Sequence, residues 1–230
     1  MIARVLSVLM YAVLCMWAAP LHAQPADQRP VGRMEIDLGA GILGGAAAGA
    51  ADANLRGNDA SPRPLRLFTA DTRFAPAGAW LGRVGFSLSR RFSVETAVMM
   101  TRPELRSSVS ADAEGAPALT IGERIDQYVF EASVLVLIDE ARLGGRTVPL
   151  VAGGAGYLRQ LHEGRTAIEH GLAYHLGGGV KHWLLARDSG FVKAAGLRAD
   201  ARLYLVISGI SFDDSPRPHA AASGSVFFAF

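Results

Sequence analysis

From residue 33 onward the chain alternates. Met34, Ile36, Leu38, Ala40 and Ile42 fall on one side of an extended backbone, and Arg33, Glu35, Asp37, Gly39 and Gly41 on the other. This is the period-two pattern of a strand with one apolar and one polar face. It recurs. Trp80, Val84, Phe86 and Leu88 alternate with Leu81, Arg83, Gly85 and Ser87. Phe92, Val94, Thr96, Val98 and Met100 alternate with Ser93, Glu95, Ala97, Met99 and Thr101. Tyr128, Phe130, Ala132, Val134 and Val136 oppose Gln127, Glu131 and Ser133. Tyr174, Leu176 and Val180 oppose His175, Gly177, Gly179 and Lys181. Leu197, Ala199, Ala201, Leu203 and Leu205 oppose Arg198, Asp200, Arg202 and Tyr204. A Gly/Ala-rich stretch near 148–161 predicts another strand, with its facing left open, and 220–230 predicts the last. The total is eight, several with the ~9–11 residues that a tilted membrane-crossing strand needs.

The predicted connections alternate in length. Long ones fall near 45–77, 103–124, 162–169 and 207–218, and short ones near 89–91, 139–147 and 186–190. Short turns at one end and long loops at the other suit an up-and-down barrel with both termini on the short-turn side. The aromatics sort the same way. Trp80, Tyr128, Tyr157, Tyr174 and Tyr204 lie next to long connections, whereas Phe86, Phe92, Trp183, Phe191, Phe228 and Phe230 lie by short turns or the C-terminus. They predict a girdle at each membrane interface.

The polar faces carry ionisable groups: Glu35, Asp37, Glu95, Glu131 and Asp200, with Arg33, Arg83, Lys181, Arg198 and Arg202. In a soluble sandwich these would look to water. In a membrane barrel the apolar stripe meets lipid and the charges face the lumen. Eight strands enclose a lumen that side chains fill, so these ten residues are expected to form a paired interior network, because unpaired buried charge is costly. That argues against an open diffusion pore.

Composition and the N-terminus set the compartment. The apolar fraction is 50%, with no helix-length apolar run beyond the first residues. Arg4, an apolar run from Val5 to Ala19, Pro20 and the small Ala23 before Gln24 read as a secretory signal over 1–23. Leu14 before Cys15 does not suit a lipoprotein signal. Residues 24–32 form a short polar lead, and 33–230 the barrel domain. Cys15 is the only cysteine, so the exported chain has no thiol for catalysis or metal binding. The 23 Lys and Arg include Arg4 and stand against 21 Asp and Glu, a near balance that argues against a nucleic-acid partner.

Motifs with a chemical reading are weak. Gly39-Ala40-Gly41-Ile42-Leu43-Gly44 fits the dinucleotide fingerprint, but Glu35 and Asp37 interrupt the strand before it, where a parallel nucleotide-binding strand would be continuously apolar. Gly153-Gly154 and Gly177-Gly178-Gly179 lack the Lys-Ser/Thr of a phosphate loop. His170 and His175 are five apart and face opposite sides of one strand, a poor metal pair. His175, Ser208 and Asp213 are the candidates for a rim constellation of a lipid-modifying barrel enzyme. Their spacing is undistinctive, and the reading is non-enzymatic, with no cofactor or metal.

The chain ends Ser225-Val226-Phe227-Phe228-Ala229-Phe230, with Val226, Phe228 and Phe230 on one face. This terminal stripe is similar to the signal read by outer-membrane assembly machinery. Together with Leu88 to Glu95, Gly177 to Lys181 and Leu197 to Leu203, it gives 33–230 a resemblance to the small outer-membrane β-barrel family, which includes the transmembrane domain of outer-membrane protein A. The resemblance implies an all-β, up-and-down antiparallel transmembrane barrel in the outer membrane of a Gram-negative cell. It implies no shared catalytic residues, and the chain departs from outer-membrane protein A by stopping at the last strand, without a wall-binding domain. The expected partners are outer-membrane lipid, lipopolysaccharide and the assembly machinery. The protein is expected to be a monomer with an envelope-structural or surface-interaction role through loops 45–77 and 103–124. The alternatives are the lipid-modifying enzyme and a soluble exported ligand-binding barrel with an apolar interior.

Overall fold

The computed structural model describes residues 33–56, 64–165, 167–187, 190–210 and 215–230. The expected signal peptide and polar lead lie outside them. Among the described residues twelve strands form: β1 (Met34–Leu43), β2 (Ala46–Leu55), β3 (Leu65–Phe74), β4 (Ala77–Ser87), β5 (Phe92–Thr101), β6 (Glu104–Ser110), β7 (Leu119–Arg124), β8 (Asp126–Leu137), β9 (Thr147–Leu161), β10 (Ile168–Ala186), β11 (Ala194–Ser208) and β12 (Arg217–Ala229). Eight close into an antiparallel barrel in the order β1-β12-β11-β10-β9-β8-β5-β4. Closure comes from β1, which pairs Asp37 with Arg83 on β4 and with Phe227 on β12. The eight alternating segments are these eight strands.

The two longest connections differ from the expectation. The segments 45–77 and 103–124 are not loops but hairpins, β2-β3 and β6-β7, which join as a four-stranded sheet in the order β2-β3-β6-β7 beyond the long-loop end of the barrel. Short joints link wall to sheet. At Gly44-Gly45 the chain passes so close to β3 that a Cβ on Gly45 would lie 2.4 Å from the Phe74 carbonyl oxygen. Pro76 and Pro103 sit at two other joints, where a residue without an N–H ends one ladder and lets another begin. Ala75 N–H donates to the Glu104 carbonyl at 2.8 Å and Ile125 N–H to that of Pro103 at 3.0 Å, so the sheet is tied across both hairpins.

The wall is apolar outward. Trp80 is 73% exposed, Leu176 66% and Leu38 64%, whereas Arg83 and Arg198 are each 2% exposed. β9, whose facing the sequence left open, turns Val148, Leu150, Ala152, Leu158 and Gln160 inward and Val151 and Tyr157 outward. The lumen is layered. At the short-turn end Leu135, Leu137, Val148, Leu150 and Ala152 pack with Trp183. Charges fill the middle. Toward the long-loop end follow Leu43, Ala79, Leu81, Met99, Val129, Leu158, Ala173 and Val206. Beyond them Gln160 donates to Gln127 at 2.8 Å and accepts from Ile210 N–H at 2.9 Å. Ala48, Phe74, Leu105, Ile125 and Ile210 cover the mouth.

Two aromatics depart from the girdle expectation. Tyr204 is 2% exposed and points into the lumen with Arg202, and Trp183 stacks edge-on against the fully buried Phe227, centroids 5.6 Å apart. Each shares the parity of a charged neighbour, Arg202 or Lys181, and parity overrides nearness to a loop. Trp80, Tyr157 and Tyr174 at one end and Phe86, Phe92, Phe191 and Phe228 at the other are exposed on the outer surface.

Candidate functional site

The mid-barrel layer is the densest concentration of chemistry. β11 supplies three charges at alternate positions, Arg198, Asp200 and Arg202, all inward by the period of the strand. Around them the wall delivers Asp37 from β1, Arg83 from β4, Glu95 from β5 and Glu131 from β8. Arg198 reaches Glu95 at 2.5 Å, Asp200 at 3.2 Å and Asp37 at 3.6 Å. Arg83 reaches Asp200 at 3.2 Å, Asp37 at 3.4 Å and Glu95 at 3.7 Å. Arg202 reaches Glu131 at 2.8 Å, Asp200 at 2.9 Å and Glu95 at 3.3 Å. Every guanidinium thus bridges three acids on different parts of the wall. A planar, forked cation suits this task better than a point charge. Arg83 also donates to the hydroxyls of Ser223 and Ser225 on β12, at 3.0 and 3.2 Å, and the Tyr204 hydroxyl donates to Glu131 at 2.8 Å.

Glycines make room for these side chains. A Cβ on Gly179 would stand 2.7 Å from the Cβ of Asp200, and one on Gly177 would stand 2.8 Å from the Cα of Arg202. The Gly177–Lys181 segment that carries part of the family resemblance is therefore the strand directly beside the charges of β11. Gly39 and Gly41, which imitate a nucleotide fingerprint, likewise lie against Ser225 and Ser223 in β12.

Of the ten charged residues expected inside, seven form this cluster. Lys181 and Glu35 make a separate ion pair nearer the short-turn end, where the Lys181 ammonium also lies 5.1 Å from the Phe227 ring centre. Arg33 is half-buried just before β1 and makes none of the described ion pairs. The cluster itself holds four carboxylates against three guanidiniums.

His175 on β10, a candidate for the rim constellation of the enzyme alternative, joins the layer. It is 5% exposed, its Nε2 lies 3.0 Å from the Ser133 hydroxyl, and its Nδ1 lies 3.4 Å from Glu131. Ser–His–Glu contacts of this kind can activate a hydroxyl. Here they sit inside a filled lumen, where the void beside Arg83, Asp200, Arg202 and Tyr204 measures only ≈ 10 Å³. That is room for about one water and not for an acyl or peptide substrate. Ser208 ends β11 and takes a hydrogen bond from Arg217 at 2.5 Å on its carbonyl, four register positions from the Tyr204 that pairs with His175. Asp213 lies outside the described residues. The expected rim constellation does not form between His175 and Ser208. His170 and His175 do face opposite sides, one exposed and one buried. Among the described residues no three His, Cys, Asp or Glu converge as a metal site.

Val226 and Phe228 of the terminal stripe are exposed on the wall, 41% and 40%, with Phe230 half-buried against Phe191 at 4.9 Å between ring centres.

No protein-family model and no curated protein matches the chain. Small outer-membrane barrels are among the solved structures that its backbone resembles. The N-terminal β-barrel domain of OprF from Pseudomonas aeruginosa matches with 10% identity over 88% of this chain and all of that one, TM-score 0.44. The outer-membrane protein OprG from the same organism matches with 10% identity, 89% and 99% coverage, and TM-score 0.49. Ail, the attachment invasion locus protein of Yersinia pestis, matches with 10% identity, 87% and 100% coverage, and TM-score 0.39.

Proposed function

We propose that this chain is an integral outer-membrane β-barrel with a plugged, non-conducting interior, which serves the envelope as a rigid base for an exposed β2-β3-β6-β7 sheet that makes surface contacts. The observation that carries the membrane reading is the inversion of the two faces. Large apolar side chains cover the outside of a closed wall, and the charges are inside it. Water would not tolerate such an exterior over a whole barrel, whereas hydrocarbon requires it, together with a ladder that has no open edge. A bacterial outer membrane is the setting that accepts closed barrels of this size delivered by a cleavable leader. A soluble ligand-binding barrel would need an open apolar lumen, and this one is crossed by ion pairs. We take the protein as non-enzymatic because its Ser133–His175–Glu131 contacts are buried among the paired charges of the lumen.

Spin labels at Ala199 and Asp200 test the membrane reading directly. In bilayers the label at 199 should be accessible to lipid-soluble oxygen and the label at 200 protected from it. The reverse pattern, or recovery of the protein in a soluble periplasmic fraction, would overturn it. For the terminal stripe, deletion of Phe230 should lower the yield of folded outer-membrane protein while translocation across the inner membrane continues, as measured by heat-dependent gel mobility of membrane and periplasmic fractions. Unchanged assembly would remove Val226, Phe228 and Phe230 from that role.

A further inference from the structure

Ionisable groups are scarce on the outer wall, and where they occur is informative. Outward positions of β1, β4, β5, β11 and β12 carry none. At the short-turn end His182 is engaged by the Thr147 hydroxyl at 2.7 Å. The others gather at the long-loop end of β8, β9 and β10. There Tyr128, Arg159 and His170 are direct cross-strand neighbours in one row, which Met100 and Trp80 continue onto β5 and β4. Tyr157, two residues below Arg159, stacks on His170 with ring centres 5.6 Å apart and hydrogen-bonds its Nδ1. Arg159 is exposed and has no ion-pair partner among the described residues, whereas the adjacent Arg102 is held by Asp126 at 2.7 Å. Beside this row the wall is indented by a cleft of ≈ 300 Å³, lined by Trp80, Met100 and Tyr128 below and by Arg102 and Asp126 at the rim.

An unpaired guanidinium on a lipid-facing surface is costly unless it lies at headgroup depth and meets an anion. The row sits at the aromatic belt, where headgroups begin. Its chemistry is layered in the order of an anionic glycolipid: apolar aromatic walls toward the membrane for acyl chains, then a forked cation for a phosphate, flanked by a tyrosine and a histidine as further donors. Resting on the outer-membrane reading above, we infer that the outer rim of β8–β10 is a binding site for the phosphate of a lipid-A-type glycolipid in the outer leaflet, with Arg159 as its principal contact.

The test uses the whole folded protein released in detergent and titrated with bis-phosphorylated lipid A, with bound lipid counted by native mass spectrometry. Arg159→Gln should weaken binding about tenfold, the size of one charge-assisted hydrogen bond. Arg159→Lys should recover part of that loss, and Arg91→Gln, in an exposed pair with Glu140 at the opposite end, should bind as the unaltered protein does. Lipid A stripped of its phosphates should bind the unaltered protein as weakly as phosphorylated lipid A binds Arg159→Gln. Equal binding by Arg159→Gln, or by stripped lipid A, would overturn the site. Displacement of the lipid by millimolar inorganic phosphate would show a site for the free ion and overturn the lipid assignment. Heat-dependent gel mobility of each variant establishes that it is folded before binding is read. A protein that never enters phosphatidylcholine bilayers would instead bring down the membrane reading, so the two failures are distinguishable.

Discussion

The barrel and the outer sheet are both built from antiparallel strands, yet opposite rules govern them. In the barrel every strand is paired on both sides, and the charges of the mid-barrel cluster are sealed at a few per cent exposure among bridging partners. In the outer sheet β2 and β7 pair with one neighbour each, and polar groups meet across strands in water: Thr69 with Asp52 at 2.7 Å and Ser108 with Thr120 at 3.0 Å. The difference teaches what each environment makes expensive. Hydrocarbon penalises an open edge and an outward charge. Water penalises neither, so the sheet can end in free edges, and its ion pairs contribute little.

Removing charge from the lumen should produce the largest effect. Arg198→Met would leave Glu95, Asp200 and Asp37 with only Arg83 in common between them, an expected loss of about 3–5 kcal/mol in urea unfolding from bilayers. A loss no greater than that of an exposed arginine would break the contrast between the regions. Next comes Ala199→Arg, which places a cation against lipid and should cost about 2–4 kcal/mol near mid-depth. The same measurement in a mimetic without a hydrocarbon slab should show a smaller cost, and equal costs would argue that residue 199 is packed in protein. Asp200→Asn should cost less than either. With four carboxylates against three guanidiniums, neutralising one brings the cluster toward balance while the amide oxygen can still accept from Arg202.

The smallest effect belongs to the outer sheet. Its Glu104 carboxyl is held below the ordinary carboxylate range, first by hydrogen bonds from the Arg106 guanidinium at 2.7 and 2.9 Å, which outweigh an opposing desolvation, with the charges of Arg106 and Arg124 adding to the lowering. A lowered pKa in the folded state means that the contact contributes above the ordinary carboxylate value and is lost as pH falls through the folded one. Because the pair is exposed, acidification should move the Glu104 resonance and its sheet neighbours without shifting the unfolding midpoint of the barrel. A shift in that midpoint would show that sheet and barrel unfold as one unit.

Legibility followed the same divide. The barrel strands were readable because an apolar outer surface and a crowded, charged lumen force strict alternation, so Arg198, Asp200 and Arg202 announce their facing. The outer sheet was not. β2 reads Ala-Ala-Ala-Gly-Ala-Ala-Asp-Ala-Asn-Leu and β7 exposes almost every residue, and neither pattern distinguishes a strand from a loop. His175 was visible as an inward residue of its strand, but its neighbours Ser133 and Glu131 stand more than forty positions away in sequence and meet it only across β9, where Gly154 leaves the space.

What the sequence determined by itself was the set of wall strands, the side of each that faces outward where alternation is strong, and the identity of most charges that would need partners, because those follow from a two-residue period and from the cost of an uncompensated ion. Which acid meets which base, the exclusion of Arg33 from their pairing, the apolar layers above and below the charges and the sheet over the long-loop end were decided only by the tertiary structure. Closure around a common axis fixes register between strands far apart in sequence, and it is register that brings Arg83, Glu95 and Arg198 within reach of one another.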